Sequence, residues 1–126
     1  MIDYSVETKL SVQEAIDKLQ KNLKESGFGV LHIYNLKEIF KSKGIEFSEY
    51  QILSVCNPKF AKEALDVNLK VGALLPCKIA IYDDKGSTKI LLLKPSEAIA
   101  LLGDDRLDSL AVKVEDILVR VVNSVK

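Results

Sequence analysis

The chain has 126 residues, with 18 basic against 18 acidic side chains and a net charge of zero. That length fits one domain over residues 1–126, large enough to bury roughly two-thirds of its unfolded surface. The interleaved, balanced charge excludes the basic stripe by which a nucleic-acid binder meets phosphate, and no run approaches the ~20 apolar residues that cross a bilayer.

Apolar residues make up 48% of the chain and Trp is absent, so aliphatic side chains must supply most of the core. Met1-Ile2-Asp3-Tyr4-Ser5 has no basic segment leading into an apolar run, and no signal peptide is read there. A cytoplasmic setting is therefore expected, in which Cys56 and Cys77 are free thiols rather than a structural bridge.

Residues 2–7 alternate Ile2, Tyr4 and Val6 with polar neighbours, the period of a half-buried strand. Ser11 with Glu14 three residues on is a capping-box pattern, in which each side chain satisfies a free N–H at the other's backbone. Val12, Ile16, Leu19 and Leu23 follow at helical spacing, and Gly27 is a natural stop. Phe28 to Tyr34 reads as a second strand with His32 on the face of Phe28, Val30 and Tyr34. Asn35 with Glu38 opens a short helix that ends near Gly44.

Gln51 to Cys56 is an apolar strand, Asn57 caps the helix after it, and Pro58 suits the first turn because its missing N–H costs nothing there. Phe60, Ala61, Ala64 and Leu65 form that helix's stripe. Pro76 leads into a strand from Cys77 to Tyr82. Asp83-Asp84-Lys85-Gly86 turns the chain, and Thr88 to Leu93 returns as the partner strand. Pro95 and Ser96 open a short helix that ends near Gly103. Asp104 or Asp105 caps the last helix, whose apolar face is Leu107, Leu110, Ala111, Val114, Ile117, Leu118, Val121 and Val125. Strands interspersed with helices and closed by a hairpin predict an α+β domain: a curved, largely antiparallel sheet with helices packed on one face.

Four stretches together resemble the family called domain of unknown function 302. They are Gly27-Phe28-Gly29-Val30, Cys56-Asn57-Pro58 with Ala61 and Ala64-Leu65, Gly72, and Leu75-Pro76-Cys77. The resemblance covers residues 3–95. It implies a small α+β protein, often dimeric, and supplies no activity and no catalytic residue.

The chemical candidates are the two thiols. Cys56 precedes a helix start, where about half a positive charge favours a thiolate, and Lys59 one turn in would add to it. On that reading Cys56 should outpace a model thiol with iodoacetamide. Cys77 follows Pro76 and has only strand context. The two cysteines, supported by Asn57, Pro58, Lys59 and Pro76, are candidates for holding a metal ion or a small ligand in a non-catalytic binding protein. A thiol-dependent enzyme or redox protein is the alternative, although His32 is the single histidine and the spacing is not Cys-x-x-Cys. A structural or interaction module with inert cysteines is the third. A homodimer is expected, since a net charge of zero removes some protection against self-association.

Overall fold

A computed structural model describes residues 2–126. Five strands form one antiparallel sheet, β1 (Asp3–Thr8), β2 (Gly29–Asn35), β3 (Tyr50–Cys56), β4 (Cys77–Asp84) and β5 (Ser87–Leu93). Their spatial order is β1-β5-β4-β3-β2, so the N-terminal strand closes one edge and β2 the other. The helices are α1 (Val12–Glu25), α2 (Leu36–Ser42), α3 (Pro58–Val67), α4 (Pro95–Ala100) and α5 (Asp108–Asn123). This is the α+β architecture expected, with every strand pairing antiparallel.

Local chemistry sets the helix ends. Ser11 and Glu14 make both bonds of a capping box at the start of α1. Asn35 accepts from the Glu38 N–H, and Asn57 from the Phe60 N–H. At the end of α1, Phe28 N–H donates to Leu23 O and Gly27 N–H to Lys24 O, the paired bonds of a Schellman motif. Gly27 closes it at φ +84°, a conformation that strains any side chain, and a Cβ there would stand 3.2 Å from the Asn57 Nδ2. The stop of α1 and the cap of α3 are thereby packed together.

Alternation sorts the strands. Val6, Ile90, Leu92, Ile79, Ile81, Leu53 and Val55 are buried on the inner face, where α1 and α5 cover them with Ile16, Leu19, Leu23, Leu118 and Val122. A smaller cluster, Ala64, Val71 and Leu107, lies beside the main core. The outer face carries the stacked pair Tyr50–Tyr82, and Phe47 and Phe40 extend that aromatic row toward α2.

The structure corrects several local expectations. A bulge between Val30 and His32 shifts the β2 register. Val30 faces the core, whereas His32 and Tyr34 point outward with their rings edge to face. One inserted residue breaks the alternation that had placed them together. The β4–β5 turn is the two-residue Lys85-Gly86, both at positive φ. Asp83 and Asp84 belong to β4, and Asp83 accepts from the Gly86 N–H. Asp104 caps a separate 3₁₀ turn, Asp105–Leu107, and α5 begins only at Asp108 with no side-chain cap. A second 3₁₀ segment, Leu69–Leu74, fills the stretch before Pro76 to which no element had been assigned.

Candidate functional site

Antiparallel pairing of β3 with β4 brings the two cysteines to one end of the sheet. Cys77 pairs across from Val55, so Cys56 is its diagonal neighbour. Strict alternation would send them to opposite faces. However, β3 ends at Cys56, and both residues line one cavity of about 210 Å³. Both are free and half-buried.

The cavity lies between the two apolar clusters. Phe60, Ala61 and Ala64 of α3 form one wall, and Leu110, Ala111 and Val114 of α5 another. Ala98 and Ile99 of α4, with the Ala73–Leu75 stretch, close the far side. Phe28 and Val55 reach it from the sheet. Alanine supplies Ala61, Ala64, Ala73, Ala98 and Ala111, and these short side chains on facing elements leave the space open. Asn57 and Pro76 also line it, next to the two cysteines, as the sequence had grouped them. Pro58 and Lys59 sit in the first turn of α3 without lining the cavity.

Two polar clamps hold the walls. The first turn of α4 lacks a cap of its own, and Glu115 of α5 supplies one. Its carboxylate accepts from the Ser96 N–H at 3.0 Å and from the Ser96 hydroxyl at 2.6 Å. At the other end Arg106 donates to both Asp104 oxygens and to Val67 O, while Asn68 donates to Asp104. That cluster ties the end of α3 to the entry of α5.

The bonds from Arg106 hold the Asp104 carboxyl well below the usual carboxylate range, with Asn68 acting in the same direction. A depressed folded pKa contributes stability that is present above the unfolded value, about 4, and is lost as pH falls through the folded one. The stability difference between the wild type and Asp104→Asn is therefore expected to be full at neutral pH and to shrink below about pH 4. Urea midpoints measured from pH 7 downward check this. A difference independent of pH would exclude the charge as its source.

The electrostatics of the thiols differ from the expectation of a helix-activated Cys56. Burial pushes the Cys56 thiol above its ordinary value. Burial pushes Cys77 up to about 11, the neighbouring Cys56 adds to the rise, and Lys78 opposes it. Desolvation disfavours the charged form of both thiols. Both cysteines are therefore expected to alkylate with iodoacetamide more slowly than glutathione at pH 7, Cys77 more slowly than Cys56. Peptide mapping after timed quenching reads the two rates. A Cys56 faster than glutathione would restore the activated-thiol reading.

Among the described residues no three His, Cys, Asp or Glu side chains gather as a metal set. No described helix is long and apolar enough to cross a membrane.

An open antiparallel sheet backed by helices, with an apolar cavity at the sheet's end, defines a small α+β protein. The chain matches the model of the family described as domain of unknown function DUF302 over residues 4–125, and it belongs to that family. It is similar to the crystal structure of an uncharacterized conserved DUF302 protein from Bacillus stearothermophilus, at 35% identity and a TM-score of 0.96, over 100% of this chain and 99% of that one. No functionally curated protein matches the chain.

Proposed function

We propose that this chain is a non-catalytic binding protein whose site is the cavity beside Cys56 and Cys77, and that it takes a small ligand with an apolar body. The observation that carries this reading is the cavity itself: about 210 Å³ of space walled almost wholly by apolar side chains. An apolar cavity of about 150 Å³ is enough to hold benzene. A metal ion is the weaker occupant, because it needs thiolates and burial favours the neutral thiols. A thiol enzyme would find no histidine base at the site, since His32 lies on the outer face of β2. Titration with n-butylbenzene followed by methyl NMR tests the reading. Saturable shifts at Ala64, Ala98 and Ala111 are expected. Shifts confined to other regions, or stoichiometric Zn or Cu in the purified protein, would overturn it.

We also propose a homodimer formed across the outer sheet face. Tyr34 and Leu93 are exposed there, beside Ile52, Ala80 and Leu91 in one apolar groove. Lys89 is paired with Glu7 on the same side of the sheet, so two copies could meet without an unpaired charge at that point. A second copy of the chain is the occupant we commit to, since an isologous contact would set the exposed Tyr34 and Leu93 of each copy against the same groove, with Lys78 at its rim. Sedimentation equilibrium of the wild type should give twice the chain mass, and a monomer at all concentrations would reject the proposal.

A further inference from the structure

We propose that the cavity's ligand carries an anionic head, a carboxylate on an apolar body, and that Lys78 meets that head at the cavity mouth. This deepens the binding reading above and rests on it. Among the described residues Lys78 is the single charged residue in the cavity lining. It is exposed and pairs across from Ser54 on the outer side of β4. It also lines the outer groove with Ile52 and Leu91, and Leu93 is likewise shared by both hollows. Lys78 therefore stands where the buried cavity meets the surface. Its Nζ folds back to Pro76 O at 3.3 Å, over the lip of the cavity.

The rest of the charge pattern agrees. The positive end of the ten-residue helix α3 opens onto the same wall at Asn57 and Phe60. Among the described residues no acidic side chain lines the cavity. Glu115, next along the chain from the lining residue Val114, is occupied by Ser96. An apolar body thus enters among the alanines and Phe60, while a negative head stays at the rim and is only partly desolvated there. A neutral head of equal size gains at most a hydrogen bond from Lys78, without the charge–charge attraction. A cationic head would meet like charge.

The test compares 4-phenylbutyrate with 4-phenylbutan-1-ol, two probes with the same apolar body. Each is titrated by calorimetry into the full chain at pH 7 and low salt, for the wild type, Lys78→Met and Lys78→Arg. The wild type and Lys78→Arg are expected to bind the carboxylate about threefold tighter than the alcohol, the scale of a partly exposed ion pair. Lys78→Met should reverse that order, and added salt should weaken carboxylate binding to the wild type and to Lys78→Arg but not to Lys78→Met. A wild type that prefers the alcohol, or a Lys78→Met that leaves carboxylate affinity unchanged, overturns the anionic head while the apolar cavity reading stands. Failure of both probes to bind overturns the cavity reading itself and this inference with it.

Discussion

Replacing Ile79 by alanine is expected to destabilise the fold by about 2–5 kcal/mol and to lower its melting temperature by roughly 10 °C. Ile79 lies in β4, the middle strand of the sheet, and is fully buried. Its cross-strand partners Leu53 and Leu92 are fully buried as well. Truncation removes three carbons from a site walled by β-sheet on both sides and by helices above. Those neighbours relax only in part, so most of the void persists and adds to the lost transfer energy. Ile79→Val should cost only about 0.5–1.5 kcal/mol, because a single methylene is lost. Urea unfolding of both variants supplies the measurement. An alanine variant within about 1 kcal/mol of the wild type would mean that the sheet is not packed as described.

Ala111→Leu is expected to do the opposite. Ala111 lies on α5, is 4% exposed, and borders the cavity. Leucine is nearly as good a helix former as alanine, so the helix itself should lose little. The added carbons enter existing space instead of forcing packed atoms apart. Stability should stay within about 1 kcal/mol of the wild type or rise. Binding of n-butylbenzene should fall by more than about tenfold, since its site is then partly filled. A folded Ala111→Leu that binds as the wild type does would place the ligand elsewhere. The two substitutions separate packing that holds the fold from space that serves a ligand.

The features legible in the sequence are those fixed by neighbours in the chain. Ser11 with Glu14, Asn35 with Glu38 and Asn57 with Pro58 specify helix starts through bonds spanning three residues, and all three caps are present. The β4–β5 hairpin was legible for the same reason, although its turn sits at Lys85-Gly86, where positive φ is needed. The bulge at β2 was not, because it depends on how β3 lies alongside. Leu107 fits the helical spacing of α5 yet belongs to a 3₁₀ turn, where Arg106 bridges Asp104 and Val67. That bridge joins residues distant in sequence.

The candidate site divides in the same way. Cys56, Asn57, Pro76 and Cys77 stood out as local motifs, and pairing of β3 with β4 brings them together. The cavity was hidden, because it arises from alanines on α3, α4 and α5 that face one another only once the chain has folded. The one signal for it in the sequence was the small side chains Ala61, Ala64, Ala98 and Ala111 at positions on helical stripes. A small residue on a stripe reads equally well as tight helix packing. Burial likewise decided the thiol chemistry. A helix start predicted an activated Cys56, but the apolar surroundings assembled by tertiary contacts raise its pKa.

The binding cavity is tested most directly by a crystal structure of the chain grown with bromobenzene, with the bromine located by its anomalous scattering. The expected result is one ordered bromine between Phe60, Ala64 and Ala111, next to the thiols of Cys56 and Cys77. A cavity with no bromine in it, or bromine ordered only on the outer sheet face by Tyr34 and Leu91, would contradict the assignment.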